Sequence, residues 1–300
     1  MNKSLENLAI EELSLLQALC ATYETYNTVL TRMPYNSVTP VYQTAGIIVP
    51  DYFGDNCIGQ AEAVINNLPR SLAEKSFYLV DERHHLVITL IGEDYYLLDP
   101  YLMHKEPINI SLQLRNGALQ QTYPAYPLEF NDRKEEMRSF ISVNFLPDAH
   151  DTCTRFSLRK GRFSPSHDRY EIAVFNFDLQ NRIKERTAPD DPAIAFHAEQ
   201  TTLSIRYFDP KTAKVTHLIY PIATVLRRPI DLRYLYIKDA KGARISYLHE
   251  RFSIEADALA AKLKCQGVDE LLDFIIGGAR IYQQRASKET VFKSLNPVNN

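Results

Sequence analysis

The chain has 300 residues, of which 45% are hydrophobic and 24% are charged, and its net charge is −3. Such proportions are ordinary for a globular protein, and the length accommodates two domains or one core with a large extension. No basic block is present, which removes the compositional case for nucleic-acid binding. The first residues carry no apolar signal core, and no apolar run is long enough to span a membrane. We therefore expect neither a nucleic-acid nor a membrane partner.

The four cysteines are scattered through the chain, at Cys20, Cys57, Cys153 and Cys265. They form no C-x-x-C pair and have no zinc-ligand spacing, so we expect neither a disulfide framework nor a metal site. This usage suits a reducing compartment such as the cytoplasm, in which a reactive thiol persists. Cys20 lies among apolar positions of a predicted helix, and we expect it to be a small core side chain.

Residues 4 to 32 repeat apolar side chains at helical spacing, which predicts an N-terminal helix. Residues 33 to 53 are broken by prolines and predict an irregular segment leading to Cys57. Within that segment Gln43 is a weak candidate for donating a hydrogen bond to an oxyanion, because some thiol enzymes use a glutamine before the nucleophile. The backbone N–H of Cys57 is the better candidate.

A helix is predicted over residues 58 to 68, directly after Cys57. Its apolar face consists of Ala61, Val64, Ile65 and Leu68, and a proline then ends it. Only a thiolate is a good nucleophile, and two features lower the pKa of a thiol: a neighbouring imidazolium and the positive end of a helix. The position of Cys57 supplies the second feature.

A β-hairpin is predicted after this helix. Residues 85 to 91 and 95 to 98 are rich in β-branched, aliphatic and aromatic side chains, and Gly92-Glu93-Asp94 supplies the turn. Because a tight hairpin brings its outer ends together, His84 or His85 should lie near Asp99. The carboxylate would then orient the imidazole toward a thiol, so Cys57, a histidine and Asp99 are predicted to form a catalytic triad.

The stretch from Cys57 to Asp99 resembles the arylamine N-acetyltransferases and the transglutaminase core, which share a Cys-His-Asp triad on a papain-like fold. In their pattern the histidine precedes the aspartate by about 15 positions, and His84 stands 15 positions before Asp99, which favours His84 over His85. Asp99-Pro100 is more similar to the transglutaminase-type cores. The length, the N-terminal helices and the early cysteine are more similar to the N-acetyltransferases.

The resemblance implies a cysteine acyltransferase with catalytic Cys57, His84 and Asp99. Its substrates would be a small acyl donor, such as acyl-CoA or another thioester, and an amine or hydroxyl acceptor, with no tightly bound cofactor. The chain departs from the acetyltransferase pattern, since Gly54-Asp55-Asn56 replaces Arg-Gly-Gly and no glycine-bearing loop follows Asp99. It also lacks the tryptophans of transglutaminases.

Two other functions share this pattern. An amide donor would make the protein a transglutaminase-like protease or deamidase, which differs from the leading hypothesis only in the bond that Cys57 attacks. A binding scaffold on the same fold would have no reactive thiol. The chemistry of the acyl donor, thioester or amide, distinguishes the acyltransferase from the protease or deamidase. The reactivity of the Cys57 thiol distinguishes both enzymes from the binding scaffold.

The rest of the chain is predicted to be β-rich and then helical. Expected strands are 77–80, 108–112, 140–145 and 170–177, and expected hairpins are 201–208 with 213–222 and 232–237 with 244–249. Helices close the chain over 253–287, where Gly277-Gly278 marks a break or a close helix crossing. His104, His150 and Cys153 are expected at the surface.

We therefore predict an α+β fold with three parts. Residues 1–110 would hold the N-terminal helices and a papain-like triad core. Residues 111–250 would form an antiparallel β domain, as a sheet or small barrel, and residues 251–300 would form the C-terminal helical segment.

Overall fold

The computed structural model describes residues 5–81, 84–131, 133–147, 153–164, 168–184, 195–196, 200–239 and 241–286, with side chains described from residue 14 onward. The helices are α1 (Leu5–Arg32), α2 (Thr39–Thr44), α3 (Cys57–Asn67), α4 (Arg70–Ala73), α5 (Ile110–Arg115), α6 (Ile222–Arg227), α7 (Arg251–Leu263) and α8 (Val268–Arg285). Short 3₁₀ turns occur at Asp51–Phe53 and Leu232–Tyr234. The predicted N-terminal helix and the predicted helix after Cys57 are both confirmed.

The strands are β1 (Tyr35–Asn36), β2 (Ser76–Asp81), β3 (His84–Ile91), β4 (Asp94–Leu98), β5 (Ile108–Asn109), β6 (Gln120–Phe130), β7 (Glu136–Leu146), β8 (Arg155–Ser164), β9 (Arg169–Asp178), β10 (Thr202–Asp209), β11 (Lys214–Pro221), β12 (Tyr236–Lys238) and β13 (Arg244–Ser246). They form three antiparallel sheets. The central sheet has the order β2-β3-β4-β5, the second β6-β7-β8-β9, and the third β1-β10-β11-β12-β13. The fold is therefore mixed α+β, as predicted.

Helix α3 packs on the central sheet through its apolar stripe. Ala61 and Val64 of the helix share a buried cluster with Val87 of β3 and Leu98 of β4. The predicted hairpin is confirmed, with Ile91 paired to Asp94 at the turn and Val87 paired to Leu98 near the open end. The start of α3 and the open end of the hairpin thus belong to one packed unit.

The third sheet joins distant parts of the chain. Its strand β1 lies between α1 and α2, and Tyr35 pairs with Arg206 of β10. On the opposite face of β10, Leu203 and Ile205 pack into a core with the C-terminal helices α7 and α8. The alternation of a strand therefore directs Thr202, Ser204 and Arg206 to the other face, where all three line the cavity beside Cys57.

The glycine pair in α8 allows a close crossing with α2. An added Cβ at Gly278 would lie 2.2 Å from Val38 Cγ1, and one at Gly277 would lie 2.1 Å from the Tyr42 hydroxyl. Helix α8 runs without a break from Val268 to Arg285. Of the two alternatives expected for this pair, the structure shows the close crossing.

Several sequence predictions are wrong. The strand expected over 232–237 begins instead with the 3₁₀ turn Leu232–Tyr234, and only Tyr236–Lys238 is extended. Residues 108–112 form only a two-residue strand and then enter α5, because the Asn109 side chain accepts a hydrogen bond from the Leu112 N–H and caps that helix. Cys20 is exposed rather than buried, because it lies on the face of α1 that is turned away from the core. Cys153 is partly buried against the cluster beneath the second sheet, and His150 lies outside the described residues.

Among the described helices, none is both long enough and apolar enough to cross a membrane. The division of the chain at residues 110 and 250 stays a prediction.

Candidate functional site

Cys57 is the first residue of α3, and the preceding residue caps that helix. The Asn56 side-chain oxygen accepts hydrogen bonds from the N–H groups of Ile58, at 2.9 Å, and Gly59, at 3.2 Å. This cap fixes where the helix begins and holds the Cys57 side chain in the first turn, at the positive end of the helix dipole. Cys57 is only 6% exposed and lines a cavity of about 280 Å³.

His84 begins strand β3 and faces the same cavity. Its Nε2 donates to Asp99 Oδ2 over 2.5 Å, and both side chains are buried. The structure thus selects His84 over His85. Successive residues of a strand face opposite sides of the sheet, so His84 and Leu86 share one face. Val87 is paired with Leu98 of β4. The next residue, Asp99, therefore lies beside Leu86 and on the same face as His84. His85 points to the other face.

The second ring nitrogen of His84 is available to a thiol. Nδ1 is buried and forms no hydrogen bond of standard geometry with the described residues. Cys57 nevertheless lies close enough to the imidazole to change its pKa. Burial by itself would lower the pKa of His84, but the neighbouring Asp99 and Cys57, through charge and hydrogen bonding, raise it to about 10. The imidazolium form of His84 is therefore favoured in the folded protein.

Asp99 is held by its neighbours as well as by His84. Its Oδ1 accepts a hydrogen bond from the Leu102 N–H, and its own N–H donates to His104 Nε2 over 2.9 Å. His104 is fully buried, which corrects the expectation that it lies at the surface. Its ring stacks on Tyr26 with 4.3 Å between ring centroids, and its Nδ1 donates to the Glu106 carbonyl. That second bond assigns the proton to Nδ1 and makes Nε2 an acceptor.

Aromatic rings close the site around His84. The imidazole packs against Phe175, with 4.5 Å between ring centroids, and against Tyr101, with 4.8 Å. Tyr101 also contacts Tyr35. These rings exclude water from the imidazole, and a low local dielectric strengthens its interaction with Asp99.

Gln43 does not join this group. Its side chain donates to Asp55 Oδ2, and it lines a separate cavity together with Asp55. The expectation that Gln43 assists at an oxyanion is therefore not supported by its position. A larger cavity of about 850 Å³, lined by Leu15, Leu72 and Ile91, contains none of the residues of the predicted triad.

Sequence reasoning missed Arg206 and His217, which line the cavity beside Cys57. The hairpin of residues 201–222 was predicted, but its expected turn at 209–212 would pair Arg206 with Val215. The turn lies one residue later, at 210–213, and pairs Arg206 with His217. What could not be read from the sequence is that this hairpin faces the cysteine. In the part of the chain that the structure describes, no group of three or more His, Cys, Asp or Glu side chains could hold a metal ion.

No protein-family model matches this chain, and no curated protein matches its sequence. The geometry around Cys57 therefore carries the functional argument.

Proposed function

We propose that the protein is a cysteine-dependent acyltransferase that forms a thioacyl intermediate on Cys57. One observation carries the proposal. A cysteine at the start of a capped helix shares a cavity with a buried histidine, and a carboxylate holds the far nitrogen of that histidine. This combination is the standard means of activating a thiol nucleophile. The packing of α3 on the strands that carry His84 and Asp99 supports a papain-like core, and the four free thiols support a cytoplasmic location.

In the first half-reaction the Cys57 sulfur attacks the carbonyl carbon of a thioester donor. The thiolate arises because His84 Nδ1 accepts the thiol proton, and Asp99 stabilises the resulting imidazolium. The bond from carbon to the leaving sulfur then breaks, and the leaving thiolate takes the proton from His84. The acyl group remains on Cys57 as a thioester.

In the second half-reaction an amine or hydroxyl acceptor attacks the thioacyl carbon. His84 accepts the proton of the acceptor and returns it to the departing Cys57 sulfur. Cys57 and His84 thus return to their starting protonation at the end of the cycle, and the charge of the cavity is unchanged. Because the first product leaves before the acceptor reacts, the kinetics should be ping-pong.

The test is to detect the acyl group on Cys57. Wild-type protein would be incubated with acetyl-CoA and, separately, with the acetyl thioester of N-acetylcysteamine, and then digested and analysed by mass spectrometry. The expected result is an acetyl adduct on the Cys57 peptide that an added arylamine removes. The adduct should be lost in His84→Gln and kept in His85→Gln.

Two other results would redirect the assignment. Ammonia release from a glutamine-containing peptide, without acylation by either thioester, would favour the transglutaminase-like alternative. If neither donor reacts and Cys57 is alkylated no faster than Cys153, the enzyme hypothesis fails and the scaffold hypothesis replaces it.

A further inference from the structure

A row of basic side chains crosses the third sheet on the face that looks toward Cys57. Arg206 of β10 is paired with His217 of β11, and His217 is paired with Lys238 of β12. Arg206 and His217 both line the cavity that contains Cys57 and His84. Arg206 is only 8% exposed, so its charge lies inside the protein rather than on its surface.

A second buried basic side chain lies beside Arg206. Lys160 of β8 is 7% exposed, and its Nζ donates to the Tyr101 carbonyl oxygen over 2.7 Å. Arg206 Nη2 donates to the same oxygen over 3.0 Å. Both side chains also lie over the Tyr101 ring, at 4.3 Å for Lys160 and 4.9 Å for Arg206. Burial and the Arg206 and Arg162 charges hold the pKa of Lys160 well below its usual value, so Arg206 is the group that carries the positive charge beside the cavity.

Neither side chain has a carboxylate partner in the part of the chain that the structure describes. Burial lowers the pKa of both, and Asp99 only partly opposes this from a distance, because it is hydrogen-bonded to His84. The buried carboxylate of Glu129 is paired with Arg162 instead, at 3.5 Å. Since a guanidinium has five N–H donors and Arg206 uses one on Tyr101, donors remain for a ligand.

His217 adds an unsatisfied polar atom to the same place. Its Nε2 is buried and has no hydrogen-bond partner among the described residues. Burial and the neighbouring Arg162, Arg206, Lys238 and Lys160 charges hold the pKa of His217 well below its usual range, so the ring is neutral and can donate one N–H. Unpaired buried charges and orphaned polar atoms are both costly. An anion in the cavity would remove both costs.

We propose that Arg206 and His217 form a subsite that binds the carboxylate of the substrate. The inference deepens the proposed function and rests on it, because the subsite then defines the substrate class as short acyl compounds that end in a carboxylate. Arg206 and His84 contact one ring, because the Arg206 guanidinium lies 4.9 Å from the Tyr101 ring centroid and the His84 ring centroid lies 4.8 Å from it. The cavity of about 280 Å³ suits a compact ligand.

The test compares two ligands that differ in charge and hardly in shape. Binding of succinamate, which has one carboxylate, and of succinamide, which has none, would be measured by isothermal titration calorimetry. Wild type, Arg206→Gln and Arg244→Gln would be compared. Arg244 is the matched control, because it lies on the same sheet over the Tyr236 ring and outside the cavity lining.

Wild type should bind succinamate at least about tenfold more tightly than succinamide, as a charge-assisted hydrogen bond predicts. The preference should fall to about twofold or less in Arg206→Gln and persist in Arg244→Gln. If Arg206→Gln does not fold, Arg206→Lys and His217→Gln replace it, each with a partial loss of preference. Equal binding of the two ligands to wild type, no binding of succinamate, or a preference that survives in Arg206→Gln would overturn the subsite.

Failure of the subsite and failure of the enzyme hypothesis are distinguishable in the same proteins. Alkylation of Cys57 by iodoacetamide reports on the thiol, whereas calorimetry reports on the anion site. A reactive Cys57 without a charge preference would reject the subsite alone. A charge preference that depends on Arg206, with an unreactive Cys57, would keep the subsite in a binding protein that is not an enzyme.

Discussion

His104 Nε2 accepts a hydrogen bond from the backbone N–H of Asp99 over 2.9 Å, within a fully buried environment. Only an unprotonated Nε2 can accept that bond, so the position of Asp99 depends on a neutral His104. Burial lowers the pKa of His104 to about 4, although Asp99 acts in the opposite direction. His104 therefore belongs to the support of the site, not to its reactive groups.

Acidification should weaken the protein through His104. In the unfolded chain its pKa is about 6.5, above the folded value, so its contribution to stability is complete above pH 6.5 and is lost as the pH falls toward 4. The slope approaches about 1.4 kcal/mol per pH unit within that window. Urea unfolding between pH 7 and 4 should show a shallower slope in His104→Gln than in wild type. His249→Gln, at an exposed position, should keep the wild-type slope.

The reactivity of Cys57 should depend on His84 and not on His85. The rate of Cys57 alkylation by iodoacetamide would be measured by mass spectrometry at several pH values between 6 and 9. His84→Gln should lower this rate most near pH 6, because the variant lacks the imidazolium that favours the thiolate. In acyl transfer the same variant should lose about 100-fold or more of the rate. His85→Gln should match wild type, because His85 lies on the other face of β3, opposite Val80. An equal effect of both substitutions would contradict the assignment.

Asp99→Asn should destabilise the folded protein, since it leaves a buried His84 without its charge partner. Breaking a buried pair in this way costs about 3 kcal/mol. The folded pKa of His84 is about 10 and lies above the unfolded value, so the contribution is complete below pH 6.5 and is lost as the pH rises toward 10. Unfolding free energies of wild type and variant should therefore converge between pH 7 and 10.

The matched control for Asp99→Asn is Asp231→Asn, which breaks an exposed pair with Arg233. Its unfolding free energy should stay close to that of wild type, because exposed ion pairs contribute little. A constant gap between Asp99→Asn and wild type from pH 7 to 10 would show that His84 is not the partner whose charge matters.

Gly278→Ala should destabilise the crossing of α8 with α2. The new methyl group would lie 2.2 Å from Val38 Cγ1, and overpacking of this kind costs about 1 to 3 kcal/mol, more than the gain of up to about 1 kcal/mol in helix propensity. Chemical denaturation measures the loss. Val38→Ala combined with Gly278→Ala should recover part of it, because the clash is removed. Gly267→Ala is the control, since nothing lies within 4 Å of its added Cβ.

Much of the site could be predicted because its parts are close in sequence. The helix after Cys57 follows from the spacing of Ala61 and Val64, and the hairpin follows from two apolar runs around Gly92. The hairpin alone left His84 and His85 open, the 15-residue spacing of the resemblance favoured His84, and the observed register places His84 on the face of Asp99. The helix and the hairpin are local patterns with periods of 3.6 and 2, so they can be read without knowing the fold.

The errors occurred where a distant contact or a competing local bond decided the outcome. Residues 108–112 have strand-like composition, but the Asn109 cap starts a helix there. His104 sits in a short loop with polar neighbours, yet the loop folds inward so that His104 stacks on Tyr26, which is 78 positions earlier in the chain.

The sequence by itself determined the order of the nucleophile helix and the hairpin, because hydrophobic periodicity and turn residues act over a few positions. Only the tertiary structure decided what faces Cys57. The pairing of Tyr35 with Arg206 brings together strands that are more than half the chain apart in sequence. Burial then separates Arg206 and His217 from the water that would otherwise solvate them. Long-range pairing leaves no periodic signal in the sequence, since it depends on which complete surfaces bury most apolar area against each other.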